Sequence, residues 1–196
     1  TLLPMIPLGL VILPFTISFG RDMADGVTTR FVLFGYRMAK QLVAKFVSVA
    51  ILVSLVTVVY CLVLYQVLPL PSMSMLSLAN VFASTMILTA ALYLLSFAIA
   101  QVFKGFNMIQ GVAMVCYFGI AFLTGSMGTF QLPRTLEKAI EWIPFAAIRE
   151  TLKMHWGSNT VTDMQTEWFK LIVFLLITLF LFGLAEFYRR LKIHAV

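Results

Sequence analysis

Five apolar runs dominate the 196-residue chain and constrain what it can fold into. They lie near residues 1–19, 47–68, 76–103, 108–127 and 169–187. Each comes close to the roughly 20 residues that cross about 30 Å of hydrocarbon as a helix. Only 11% of the residues are charged, against roughly 25% in soluble domains. A free soluble globule is therefore excluded, and the sequence predicts a single all-α, polytopic membrane domain over residues 1–196.

Charged residues lie beside the apolar runs, and their distribution predicts how the chain threads the membrane. The segment 20–46 holds five basic residues against two acidic ones, an excess typical of cytoplasmic connections. The uncharged loop 68–75 then lies outside, and the turn 104–107 lies inside. The segment 129–168, with four basic and five acidic residues, is placed outside, and the basic tail 188–196 returns inside. Membrane orientation therefore explains the net charge of +6 better than nucleic-acid binding does.

The first apolar run is unusual because it contains prolines. Pro4, Pro7 and Pro14 would kink a helix, but neighbouring helices in a membrane protein can satisfy the backbone groups that proline frees. We therefore expect a kinked span. The chain begins at Thr1 directly in apolar sequence, and we expect one further span upstream of it. The five runs would then be spans two to six of a six-span domain.

Residues 28–46 follow the first run and predict a basic amphipathic helix. Its polar side chains share one face, and apolar residues cover the other. The polar face comprises Arg30, Arg37, Lys40, Gln41 and Lys45. Such a helix lies in the inner interface of the membrane, where it either anchors the orientation of the chain or docks an acidic partner. The preceding residues 20–26 contain two glycines and three charges, which suit a turn from the span into this helix.

Glycines and prolines also divide the outer segment. The fourth run ends at Gly125 and Gly128, and Pro133 and Pro144 bracket a short stretch with helical spacing. A second short helix can follow Pro144, with Glu150 in an otherwise apolar turn. Two short helices between such breakers predict either a re-entrant hairpin in the outer leaflet or a loop that caps the outer face.

No pattern in the chain predicts catalysis. The runs contain almost no ionisable residues, which disfavours a proton relay or an ion-coupled carrier. The sequence also has no HExxH, GxSxG or phosphate-binding GxxxxGK[ST] motif. Cys61 and Cys116 fall inside apolar runs, so neither a disulfide nor a metal site is predicted. We expect a non-enzymatic chain with no cofactor of its own, and any nucleotide site would belong to another polypeptide.

Two patches of the sequence carry a family resemblance. One is residues 19–31, FGRDMADGVTTRF, a charged and glycine-bearing link. The other joins Leu-Thr-Gly at 123–125 to Leu-Pro-Arg at 132–134, Trp-Ile-Pro-Phe at 142–145 and Arg-Glu at 149–150. In this order they resemble the membrane subunits, or permeases, of type-2 ABC exporters. The first is similar to the link that leads into a cytoplasmic connecting helix, and the second to proline-punctuated outer re-entrant helices before the last span.

The resemblance implies a half-transporter in the bacterial plasma membrane. Two permease subunits, identical or different, would pair, and each would sit on a cytoplasmic ATPase subunit that binds ATP and Mg²⁺. ATP-driven closure would open or squeeze a path between the two halves. The implied ATPase-docking residues are Arg21, Asp22, Asp25, Gly26, Arg30 and Arg37. The implied outer gate comprises Gly125, Pro133, Pro144 and Glu150. The apolar spans favour a hydrophobic or amphipathic substrate such as a peptide, drug or lipid.

Another class of protein is compatible with the same sequence. A non-transporting membrane scaffold or immunity subunit would bind a peptide, toxin or enzyme without moving it across the bilayer. A polytopic membrane enzyme ranks third, because acid and base groups are missing at membrane depth. Stimulation of a co-expressed ATPase would distinguish the exporter from both.

Overall fold

A computed structural model of the chain describes residues 5–35, 38–67, 75–103, 105–123 and 164–194. Within these ranges the regular structure is entirely helical. In chain order the helices are α1 (Met5–Ala24), α2 (Val27–Leu33), α3 (Met38–Val67), α4 (Met75–Val102), α5 (Phe106–Leu123) and α6 (Met164–His194).

Four of these helices contain stretches that are long and apolar enough to cross a membrane. The stretches are Met5–Ala24, Lys40–Val67, Leu78–Val102 and Trp168–Phe187. A shorter apolar helix, Phe106–Phe122, lies between the third and fourth of them. The predicted all-α, polytopic membrane architecture is therefore confirmed at the level of four to five apolar helices.

Helix α1 is irregular where the prolines predict it to be. Met5–Pro7 and Leu13–Ala24 are α-helical, and the intervening Leu8–Ile12 forms a π-helical turn. Pro14 has no N–H to donate to the preceding turn, and a π-helical turn is one way in which a helix accommodates such a defect. Leu8, Val11 and Ile12 are fully buried in the core, so the irregular turn is covered by protein.

Helix α4 lies at the centre of the bundle. It packs against α1, α3, α5 and α6, and 61% of its spanning window is buried, against 17% in α3 and in α6. Its buried hydroxyls donate hydrogen bonds to carbonyl oxygens in the preceding turn of the same helix, so the helix buries them without leaving them unpaired. These hydroxyls belong to Ser84, Thr85, Thr89 and Ser96.

Contacts between neighbouring helices define their relative directions. Leu42 meets Tyr93 and Ser54 meets Met86, so α3 and α4 are antiparallel. Phe97 contacts Phe182, and four residues later in both helices Gln101 contacts Glu186, so α4 and α6 are parallel. We call the end of the bundle at which α1 ends and α3 begins the charged end, because Asp22, Arg30, Lys40 and Lys45 lie there.

The connecting segment differs from the single helix expected over residues 28–46. Helix α2 ends at Leu33, and a turn follows in which Gly35 has a φ of 83°. Helix α3 then begins at Met38 and continues without a break to Val67. Residues 38–46 therefore belong to the long apolar helix. The reason is tertiary packing: Leu42 and Phe46 contact the core at Tyr93, a partner that helical periodicity cannot reveal.

Candidate functional site at the charged end of the bundle

An ion pair joins α1 to α3 at the charged end. The Lys45 Nζ donates to Asp22 Oδ2, and both side chains are about two-thirds shielded from solvent. Asp22 lies in the last turn of α1, where the negative end of the helix disfavours a carboxylate. Pairing with Lys45, about two turns into α3, offsets this unfavourable placement. The ion pair therefore holds the end of α1 against the beginning of α3.

Aromatic rings pack directly beneath this ion pair. The Lys45 Nζ lies 4.8 Å from the centroid of the Phe19 ring, within the range of a cation–π contact. Phe19 in turn packs edge-to-face on Tyr93 and Phe97 of α4, with ring centroids 5.4 and 5.2 Å apart. The Tyr93 hydroxyl donates a 2.8 Å hydrogen bond to the Leu42 carbonyl oxygen. Helices α1, α3 and α4 are thus joined at one level by rings and polar contacts.

The link between α1 and α2 is a tight turn. The Asp25 N–H donates to the Arg21 carbonyl at 2.8 Å, and the Gly26 N–H donates to the Met23 carbonyl at 3.3 Å. Gly26 has a φ of 66°, a conformation that costs roughly 1–2 kcal/mol for residues with a Cβ. The Arg30 N–H then donates to the Gly26 carbonyl and starts α2. The glycine-bearing link therefore turns the chain from α1 into the next helix, as expected, although that helix is α2 alone and not the whole of 28–46.

The structure divides the six predicted docking residues into distinct groups. Arg21, Asp25 and Arg30 are exposed at the charged end. Asp22 is engaged by Lys45, and Gly26 forms the turn. Arg37 lies outside the described residues. The exposed residues can contact a partner directly, whereas the Asp22 carboxylate is already used within the chain.

Helix α2 also presents apolar side chains to its surroundings. Leu33 and Phe34 are about 80% exposed at its end, close to the exposed Arg30. On the opposite side, Thr28 faces the bundle and lines a small cavity with Gln41 and Lys45. That cavity measures about 20 Å³, far below the 300 Å³ or more of small-molecule pockets. Among the described residues of the charged end, this cavity is too small for a substrate, whereas the exposed side chains can contact a partner.

The predicted outer gate is not part of the described structure. Gly125, Pro133, Pro144 and Glu150 lie outside the described residues, so the re-entrant hairpin stays a prediction. Sequence analysis placed Lys45 on the polar face of the amphipathic helix but missed its pairing with Asp22 and the aromatic rings below it. Two opposite charges on either side of the connecting segment were the available signal, and only the packing of both α1 and α3 on α4 brings them together.

A second polar contact lies near the end of α4, at the same end of the bundle. Gln101 Nε2 donates to Glu186 Oε2 at 3.2 Å, which joins α4 to α6. Contacts of this kind act as connections between membrane helices, each contributing about 0.6 kcal/mol on average. Among the described residues, no group of three or more His, Cys, Asp or Glu side chains is placed to hold a metal ion.

Together, the fold and the charged end define an α-helical, multi-pass membrane protein with a polar link and a short exposed helix at one end of its bundle. Comparison with known protein families, with curated proteins and with solved structures finds no match to this chain.

Proposed function

We propose that this chain is the membrane subunit of an ATP-driven exporter of the type-2 ABC class, and that its charged end docks a cytoplasmic ATPase. One observation carries the proposal: the end of α1, the turn at Gly26 and helix α2 present exposed charges at the end of the bundle, while the Asp22–Lys45 ion pair ties this segment to the bundle. Arg21, Asp25 and Arg30 are the exposed charges of this segment. A segment that exposes charges to a partner and is joined to the bundle by an ion pair suits a subunit that must transmit force.

The anchoring explains how motion at the surface would reach the spans. A partner that moves α2 would also move the end of α1, because only the short turn at Gly26 separates the two helices. The Asp22–Lys45 ion pair carries that displacement to α3, and the rings of Phe19 and Tyr93 carry it to α4. The contacts are short and packed, so they transmit displacement rather than absorb it.

The remaining parts of the proposal follow the resemblance. ATP and Mg²⁺ would bind to the partner ATPase, and a second permease subunit, identical or different, would complete the path. The outer gate would include Gly125, Pro133, Pro144 and Glu150. The substrate would be a hydrophobic or amphipathic peptide, drug or lipid, and the membrane would be the bacterial plasma membrane, with the charged end facing the cytoplasm as the excess of basic residues indicates.

Reconstitution tests the proposal. The full-length protein would be co-expressed with ABC ATPases encoded in the same genome and placed in proteoliposomes. We expect one ATPase to co-purify with it and its ATP hydrolysis to rise in the presence of the exported compound. Arg30→Glu should weaken ATPase binding roughly tenfold or more, because opposing like charges at an interface cost several kcal/mol. Arg30→Lys should retain most of the binding.

A charge change at the opposite end of the bundle is the matched control. Gln66 is exposed near the end of α3 farthest from the charged end, and Gln66→Glu should leave ATPase binding unchanged. If no ATPase binds and none is stimulated, while the protein captures a toxin or enzyme without moving any compound, the non-transporting scaffold is the correct function. If Gln66→Glu and Arg30→Glu weaken binding equally, docking at the charged end is wrong.

A further inference from the structure

An apolar groove opens on the surface of the bundle between α3, α4 and α6. Its volume is about 320 Å³, within the range of ligand-binding sites. Its walls come from all three helices: Leu42, Val43, Phe46, Ala90, Tyr93, Leu94, Phe97 and Phe182. The groove therefore lies beside the aromatic rings of the charged-end half of the bundle and opens sideways, where Val43 is 61% exposed.

The shape of this groove is held by contacts between its own walls. Phe46 and Tyr93 pack edge-to-face at 5.3 Å, and the rings of Phe97 and Phe182 lie 5.4 Å apart. The Tyr93 hydroxyl is occupied by the Leu42 carbonyl oxygen. The groove consequently offers a ligand apolar surface and no hydrogen-bonding group. A hydrocarbon chain matches that chemistry, whereas a polar or charged ligand would lose its hydration without compensation.

The Lys40 side chain supplies a positive charge near the end of the groove that is closest to the charged end of the bundle. Lys40 is exposed and lies three residues before Val43, so the two side chains share one face of α3. At 1.5 Å per residue, the Lys40 backbone lies about 5–9 Å along the helix axis from Val43 and Phe46. That spacing suits a ligand whose hydrocarbon chain begins a short distance below an anionic head.

We propose that this groove binds an acyl chain of an anionic phospholipid of the cytoplasmic leaflet, with the lipid phosphate at Lys40. The apolar walls fit the acyl chain, and the charge of Lys40 favours a headgroup with a net negative charge over a zwitterionic one. The cytoplasmic leaflet is also where anionic lipids meet basic residues near membrane spans. The proposal rests on the orientation of the chain in the membrane and not on what the protein transports.

Photochemical labelling of the full-length protein in nanodiscs tests this site. Phosphatidylglycerol and phosphatidylcholine, each with a diazirine in the acyl chain, would be compared at equal mole fractions, and the labelled residues mapped by mass spectrometry. We expect phosphatidylglycerol to label the groove about fivefold more than phosphatidylcholine. Lys40→Gln should bring this ratio close to one. Lys170→Gln, at the other end of the bundle, should leave it unchanged.

Filling the groove tests the acyl-chain part of the proposal. Ala90→Phe and Val43→Trp place bulk in the groove and should reduce labelling by both lipids, whereas Ala79→Phe, on an exposed site of the same α4, should not. Equal labelling by the two lipids, or a ratio that survives Lys40→Gln, overturns the proposal. So does efficient crosslinking of two copies through Val43→Cys with no lipid labelling, because the face would then be an interface between chains.

Discussion

At the scale of single residues, the charged end depends on one acid–base pair. Asp22 and Lys45 are 23 positions apart in sequence, and Asp22 lies in the last turn of its helix, where a negative charge is disfavoured. Their neighbours Arg21 and Asp25 are exposed instead. Residues that look equivalent in the sequence of the link therefore have different roles, because the helical turn aims Asp22 at α3 and the others at the surroundings.

The ion pair predicts a non-additive effect on stability. Asp22→Asn and Lys45→Met should each lower the free energy of unfolding by about 1–2 kcal/mol, because a partly shielded charge loses its partner. The double variant should be less destabilised than the sum of the two. Titration with sodium dodecyl sulfate, followed by circular dichroism, measures these differences. Arg21→Gln is the control, and we expect a change within about 0.5 kcal/mol. Strict additivity would show that the two charges do not interact.

At the scale of helices, close packing of α1 on α5 depends on one glycine. A Cβ placed on Gly20 would lie 3.0 Å from both Cδ1 and Cγ2 of Ile109, and Ile109 is itself buried. Small residues permit this approach between membrane helices. Gly20 thus belongs to a helix crossing, although the sequence suggested a loop glycine in the link.

Substituting this glycine should disrupt the crossing. We expect Gly20→Val to destabilise the protein by about 1–3 kcal/mol, the range for overpacked sites. Gly111 is the matched control, because a Cβ there meets no atom within 4 Å. Gly111→Val should be neutral or slightly stabilising, since a helix gains from losing glycine. The measurement is the same detergent titration. If both variants unfold at the same detergent concentration, the crossing does not limit stability.

At the scale of the whole molecule, the helices differ in how much of their surface the protein itself covers. Helix α4 is enclosed by its neighbours, whereas α3 and α6 present most of their apolar surface outward. Helices α3 and α4 run antiparallel, whereas the neighbouring α4 and α6 run parallel. The ends of α1, α4 and α6 and the beginning of α3 therefore lie at the charged end, and the end of α3 and the beginnings of α4 and α6 lie at the opposite end.

This arrangement predicts opposite accessibility for the two ends. In a variant with Cys61 and Cys116 changed to alanine, Gln66→Cys should react with a membrane-impermeant maleimide on intact cells. Arg30→Cys should react only after the cells are permeabilised, because the excess of basic residues places the charged end in the cytoplasm. The yield of labelled protein in each condition is the measurement. The reverse result would invert the orientation and remove both the proposed ATPase docking and the proposed lipid site.

Much of the architecture could be predicted from sequence because it depends on local properties of the chain. A run of about 20 apolar residues must become a helix in hydrocarbon, where every backbone group needs an internal partner. Pro14 and Gly26 likewise dictate an irregular helix and a tight turn through their own backbone chemistry, and the structure has both. A helix that carries Arg30 directly after this turn was predictable for the same reason, whereas its docking role came from the family resemblance and stays a prediction.

The tertiary structure alone decided which helix is central, where the connecting helix ends and which charge of the link is paired. Helix α4 is less apolar than α3 and yet far more buried. Hydropathy cannot reveal this, because lipid is as apolar as a protein core and the outward faces need no polar residues. The pairing of Asp22 with Lys45 and the contact of Leu42 with Tyr93 require α1, α3 and α4 to be assembled side by side. Those contacts join residues far apart in the chain, and only packing brings them together.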